Sequence, residues 1–153
     1  MDAVSMLKKQ HREVEALFKK AEKAKNADMR RELVDLIVTK LSMHTKLEEE
    51  IVYPAIREVQ SKKAEEMVLE AYEEHAVVKL VLAQLPDVDP EDERFHAKIT
   101  VLEELVEHHV EEEEREMFEL ARKLGKDELR SLGEQMAQEM PAEERPKARR
   151  RAA

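Results

Sequence analysis

The chain has no cysteine and no tryptophan, only 2 glycines, and aromatic residues make up 3% of it. Without cysteine there is no disulfide, no thiol nucleophile and no iron–sulfur cluster. That absence fits a reducing compartment. So little glycine, in a chain rich in Ala, Glu, Lys, Leu and Arg, reads as all-helical. The N-terminal MDAVSMLKKQ lacks an apolar signal core, and no apolar run approaches membrane-spanning length. The expectation is a cytoplasmic protein with no membrane partner.

What the chain does have is charge. Charged residues make up 41% of it, and the net charge is −9. The segment Pro141–Ala153 runs the other way, with Arg145, Lys147, Arg149, Arg150 and Arg151 against Glu143 and Glu144. The rest is therefore strongly acidic and lacks the broad basic footprint of a nucleic-acid binder. The basic tail reads as a solvated end. A length of 153 residues suits one domain with a sizeable core.

Four long amphipathic segments and a shorter fifth follow from apolar periodicity. The first, Asp2 to Lys25, carries Val4, Leu7, Val14, Leu17, Phe18 and Ala21 on one stripe. A turn at Asn26-Ala27-Asp28 leads to the second, Met29 to Gln60, where Pro54 predicts a kink or an early end. Ser61 caps the third, which runs to Leu85. Asp89-Pro90 predicts the cap and first residue of the fourth, which runs to Leu124, with Gly125 closing it. The fifth spans Asp127 to Met140. The predicted fold is an all-α, up-down-up-down four-helix bundle over residues 1–124, with a short C-terminal helix over 125–140 and a disordered basic tail over 141–153. A monomer or weak homo-oligomer is expected.

The histidines fall in phase with the core. His11 lies between Leu7 and Val14, His44 between Leu41 and Val52, and His75 between Ala71 and Val78, each continuing its helix's apolar stripe. A lone histidine on such a stripe is usually a satisfied core residue, but here each of the first three helices supplies one. The fourth must choose between His108 and His109. Counting about 100° per residue from Leu102, His109 and Glu113 fall within about 20° of that face, whereas His108 and Glu112 fall about 120° and 80° away. An internal repeat selects the same pair. Aligning Tyr53 with Phe118 puts His44 on His109 and Glu48 on Glu113, so both helices carry H-x-x-x-E with ligand types one turn apart on one face.

Two glutamates in a bundle core are costly without a cation beside them. Four imidazoles and two carboxylates without sulfur suit a borderline first-row metal, and six donors exceed what one zinc ion needs. The reading is two metals, one on His11 and His44 and one on His75 and His109, bridged by Glu48 and Glu113. Open positions remain for an oxo or hydroxo bridge and a small external ligand. Iron is the first choice; manganese or zinc can use the same donors.

These residues, His11, His44-x-x-x-Glu48, His75 and His109-x-x-x-Glu113, resemble the hemerythrin-like HHE cation-binding family over about residues 5 to 122. The resemblance implies a non-haem di-iron centre that binds dioxygen, nitric oxide or peroxide. Family members act in sensing, in defence against nitrosative or oxidative stress, or in peroxide decomposition (a catalase-like activity). Oxygen carriers of the family place a further histidine where this chain has Lys79, and an aspartate one residue beyond the position of Glu113, so the resemblance points away from reversible oxygen transport. The alternative function is a sensor or regulatory module whose metal controls folding or partner binding.

Other polar residues are read more plainly. Lys79 is expected to reach solvent. Tyr53, aligned with Phe118, is expected to pack, and Tyr72 is the better candidate to lie beside the metals. His96 reads as surface, and the eight methionines as core filler. Glu49, Glu50, Glu111, Glu112, Glu114 and Glu116 read as a mostly solvated face, of which one or two orient a ligand imidazole.

Overall fold

The computed structural model describes residues 1–147. Three helix starts are those the sequence marks. α1 (Ala3–Lys23) begins where Asp2 accepts the Ser5 N–H, and α2 (Ala27–Leu47) where Asn26 accepts the Met29 N–H, both at 2.8 Å. α2 is followed by a π-turn and α3 (Tyr53–Arg57), and then by α4 (Lys62–Gln84), where Ser61 accepts the Ala64 N–H at 3.0 Å. Each cap satisfies one of the orphan donors of a first turn. α5 (Glu93–Glu112) differs from expectation. Asp92, not Asp89, caps it, accepting the Arg94 N–H, while Asp89 accepts from Glu91 in a preceding turn. α6 (Phe118–Arg122) and α7 (Lys126–Glu139) complete the chain's main helices, joined through Gly125 at φ +89°, a conformation that favours glycine.

The second and fourth segments, expected to be uninterrupted helices apart from Pro54, both contain a π-turn. It spans Glu48–Val52 between α2 and α3, and Glu113–Met117 between α5 and α6. In each, an N–H five residues on, that of Tyr53 or Phe118, donates to the carbonyl of the glutamate. Pro54 follows the first π-turn, but Glu119 holds the equivalent place after the second, so proline is not what makes them. The extra residue sets back the downstream face by about 100°. Counted as regular helix from Leu102, Phe118 would lie about 160° away; it is fully buried.

The four long rods make an antiparallel bundle, and a polar layer divides its core. On one side lie Val14, Phe18, Ile37, Leu41, Val78, Leu82, Phe95 and Leu102. On the other lie Leu7, Leu47, Tyr53, Ile56, Val68 and Phe118. Leu129, Leu132 and Met136 of α7 join this second group, and Gly133 sits directly against the Met1–Ala3 backbone at the start of α1. Each large apolar side chain buried this way contributes roughly 1.5–3 kcal/mol.

The tail, expected to lack structure from Pro141, has a 3-10 turn at Ala142–Glu144. Arg145 donates to the Met140 carbonyl at 3.0 Å, and Glu144 lies 3.5 Å from Lys40. Arg149, Arg150 and Arg151 lie outside the described residues. Among the described residues, no helix is long and apolar enough to cross a membrane.

Candidate metal centre

The layer that divides the core consists of the six residues singled out by phase and repeat. α1 supplies His11, α2 His44, α4 His75 and α5 His109. Glu48 and Glu113 are the first residues of the two π-turns. All six are buried; His109, the most accessible, is 7% exposed. Their donor atoms form two groups, His11 with His44 and Glu113, and His75 with His109 and Glu48, each within 4.8 Å. The Nε2 atoms of His11 and His44 are 3.2 Å apart, and those of His75 and His109 are 3.1 Å apart. Glu113 reaches both pairs, with Oε1 3.2 Å from His11 and Oε2 3.1 Å from His109. Glu48 does so through Oε1, 2.8 Å from His44 and 3.4 Å from His75. Two donors bonded to one metal at about 2.1 Å lie roughly 3.0–3.4 Å apart, so the spacing fits the donor set to a pair of cations.

The outward faces of the imidazoles fix which nitrogen points in. His11 Nδ1 meets the Glu114 carboxylate at 3.2 Å, and His44 Nδ1 meets Gln10 Oε1 at 2.6 Å. A carboxylate and an amide oxygen only accept, so the ring proton belongs on Nδ1 and the Nε2 lone pair faces inward. His75 and His109 repeat the arrangement more loosely, with Glu49 at 3.4 Å and Glu74 at 3.5 Å. The outer partners follow the repeat. The residue before each of His11 and His75, namely Gln10 and Glu74, serves the histidine of the next long helix. The residue after each of Glu48 and Glu113, namely Glu49 and Glu114, lies beside a histidine across the bundle; Glu114 hydrogen-bonds His11, while Glu49 only approaches His75 Nδ1, which has no hydrogen-bond partner. Arg12 holds Glu114 at 2.5 and 2.7 Å, and Lys79 holds Glu49 at 2.6 Å. Lys79 is 51% exposed, but it is anchored to the layer behind His75 rather than simply reaching into water.

Tyr53, expected to pack as its counterpart Phe118 does, also hydrogen-bonds within the layer. Its hydroxyl lies 2.7 Å from Glu113 Oε2 and 3.0 Å from Glu48 Oε2, and within 3.3 Å of the Nε2 atoms of His75 and His109. One O–H cannot satisfy two carboxylates. The Oε1 atoms of Glu48 and Glu113 are buried with no hydrogen-bond donor, which is costly unless positive charge is supplied. Without a metal, protons supply it. Burial pushes the imidazolium of His11 down, but the adjacent Glu113 carboxylate outweighs this and raises its pKa; His109, also beside Glu113 and facing Glu74, is raised further. Burial likewise opposes the charge on Glu48, yet His44 and the hydrogen bonds around it hold its carboxyl well below the usual range. Burial, followed by the charges of Glu113 and Glu48, pushes the Tyr53 phenol well up, so it stays a donor.

Tyr72 donates to the Glu49 carbonyl at 3.0 Å and meets the Tyr53 ring edge-on, so it braces the site without facing the donors. Phe118, the counterpart of Tyr53, stacks on His11 with planes 5° apart. His108 is 66% exposed and pairs with Glu112 at 3.4 Å on the flank. His96 is exposed.

Among the described residues three crevices touch the layer, one of about 120 Å³ meeting His11 between Glu15, Phe18, Glu103 and Glu107. Another, of about 20 Å³, lies among the four histidines and is closed by Val14, Leu41, Val78, Val106 and Val110; neither Tyr53 nor the glutamates line it. The third, of about 50 Å³, approaches His109 and Glu113 between Glu70, Glu74, Glu112 and Glu116.

Known proteins share this arrangement at the level of fold and family. A crystal structure of a hemerythrin HHE cation-binding domain-containing protein from Mycobacterium kansasii superposes with a TM-score of 0.77. It is 28% identical, covering 90% of this chain and 84% of that one. A DNA nickase of Nostoc sp. (strain PCC 7120) is 28% identical over 118 residues, 77% of this chain, which spans only about a third (33%) of that protein's length. Residues 2–121 match the hemerythrin HHE cation-binding domain, and the chain belongs to that family.

Proposed function

We propose that the chain holds two iron ions, one at His11 and His44 and the other at His75 and His109, bridged by Glu48 and Glu113, and that the pair binds dioxygen, nitric oxide or hydrogen peroxide in the cytoplasm. Peroxide decomposition in stress defence is the enzymatic form of this reading. The observation that carries it is the crevice of about 20 Å³ among the four histidines. A single water needs roughly 10–15 Å³, so this space suits one very small molecule. Its valine and leucine walls favour a small neutral molecule over an ion.

Bound iron would supply an open coordination position and a change of oxidation state. The chain's own residues do the rest. Gln10, Glu74 and Glu114 hold the imidazoles of His44, His109 and His11 in one tautomer, and Glu49 places a carboxylate 3.4 Å from His75 Nδ1. Tyr53 holds a proton against Glu113 on the side away from the crevice. Manganese or zinc can occupy the same donors.

Metal analysis and an absorption spectrum of the purified protein test the reading. Two irons per chain are expected, with loss of metal in His44→Ala and His109→Ala. Fewer than two metals at full loading, or unchanged content in those variants, overturns it. Peroxide turnover by the loaded protein then identifies the enzyme. The sensor reading has one observation of its own: Gln10, which orients His44, also contacts Met140 Sδ at 3.8 Å, linking the centre to the C-terminal segment. Metal-dependent ordering of that segment without turnover favours it.

A further inference from the structure

The acidic crevice differs from the apolar one in what it attracts. Its lining grades from exposed Glu70, through half-buried Glu74, Glu112 and Glu116, to buried His109 and Glu113. Among the described residues no lysine or arginine lines it. Glu113, at its inner end, is 1% exposed and keeps one carboxylate oxygen without a hydrogen-bond donor.

At the mouth, Glu74 from α4 and His108 and Glu112 from α5 bring one donor atom each to within 4.8 Å of one another. His108 Nε2 is 3.4 Å from Glu112 Oε1, a spacing that two ligands of one metal adopt. Glu74 also touches His109 Nδ1 at 3.5 Å, so the mouth and the buried centre share a residue. The three outer carboxylates behind the buried histidines are treated differently. Arg12 neutralises Glu114 and Lys79 neutralises Glu49, whereas Glu74 has no lysine or arginine partner among the described residues.

We infer that Glu74, His108 and Glu112 form a surface site for a divalent cation and that the acidic crevice behind it is the route by which metal reaches the buried centre. The inference rests on the dinuclear reading above. Carboxylate and imidazole donors at a solvent-facing position give weak, exchangeable binding to a first-row metal. The carboxylates further in draw the ion along the crevice by focusing negative potential. The metal and the small neutral ligand then use separate openings.

The test uses the full chain stripped with a chelator and mixed rapidly with cobalt(II), whose absorption bands report coordination. The double variant His108→Ala/Glu112→Gln is expected to slow uptake by about tenfold or more. It should still reach the wild-type endpoint in the buried centre. In excess cobalt the wild type should show a third, weaker ion that the double variant lacks. Glu70→Gln/Glu116→Gln should slow uptake in the same direction, and Glu66→Gln, which removes one carboxylate elsewhere on α4 as Glu112→Gln does on α5, should not. Wild-type uptake rates in both double variants, or equal slowing by Glu66→Gln, overturn the route while leaving the dinuclear reading intact. A wild-type chain that takes up no buried pair of cobalt ions overturns both.

Discussion

Tyr53→Phe removes one oxygen and keeps a ring that is fully buried and braced by Tyr72 and His75. In the metal-free protein that oxygen is, among the described residues, the only hydroxyl donor to two buried carboxylates, 2.7 Å from Glu113 and 3.0 Å from Glu48. Losing a hydrogen bond to a charged group costs about 1.5–3 kcal/mol. In a domain of this size each kcal/mol moves the melting temperature by about 2–4 °C, so the metal-free variant should melt about 3–12 °C below wild type. With metal bound, cations satisfy the carboxylates and the difference should narrow toward the roughly 0.5–1.5 kcal/mol of an ordinary hydrogen bond. Circular dichroism melts of both proteins, stripped and reloaded, with metal content measured alongside, provide the comparison. Equal melting temperatures in the stripped proteins would refute the reasoning. A larger loss in the loaded proteins, with metal released, would instead make the Tyr53 oxygen a metal ligand.

Gln10→Ala should weaken metal binding about 10- to 100-fold, because His44 loses the amide that fixes its ring; a chelator competition titration measures it. Gly133→Ala should destabilise the chain by about 1–3 kcal/mol in denaturant melts, because the new methyl group meets the Met1 carbonyl and comes within 3.0 Å of the Asp2 carbonyl carbon. The carboxyl of Glu103 is pushed up to about 7 by burial and by its hydrogen bonds to and repulsion from Glu22 and Glu107. A raised carboxyl binds its proton more tightly in the folded state, so its contribution is full below the ordinary 4.5 and is lost as pH rises through about 7. Glu103→Gln should therefore match wild type near pH 4.5 and exceed it in stability above about pH 8, by at most ~1 kcal/mol because solvent screens the cluster.

The donor layer was legible because every step that defines it lies on regular helix. His109 and Glu113 are one α-turn apart, as are His44 and Glu48, and the phase count from Leu102 to Glu113 meets no irregularity. Tyr53 was not legible. Five residues beyond Glu48 it would sit about 140° round a regular helix, and only the π-turn returns it above the glutamate. The signal was there in the repeat: an aromatic at one offset from both glutamates, fully buried in both halves, calls for one irregularity twice. Glu49 and Glu114 read as acidic surface with an orienting role for one or two members; Glu114 takes that role on His11, and Glu49 comes within 3.4 Å of His75 without a hydrogen bond to it. Gln10 and Glu74 each precede a site histidine, but each serves the histidine of another helix, a relation that needs the packing of α1 on α2 and of α4 on α5 to become visible. The late start of α5 reflects two aspartates three residues apart, either of which can cap.

The two π-turns make chain length a sensitive quantity in the stretches from Glu48 to Tyr53 and from Glu113 to Phe118, in addition to the identity of the glutamates and aromatics that bound them. Seen from either helix, each holds one residue more than a regular spiral needs. Deleting a single exposed residue there, such as Glu50 or Arg115, would repair the local helix and improve its hydrogen bonding. It would also turn everything downstream by about 100°, carrying Tyr53 or Phe118 away from the layer. Loops ordinarily absorb insertions and deletions while helices absorb substitutions. Here two helical stretches should accept replacement at exposed positions such as Glu50 and Arg115 but no change of length, so related sequences that keep the centre should align without gaps through both.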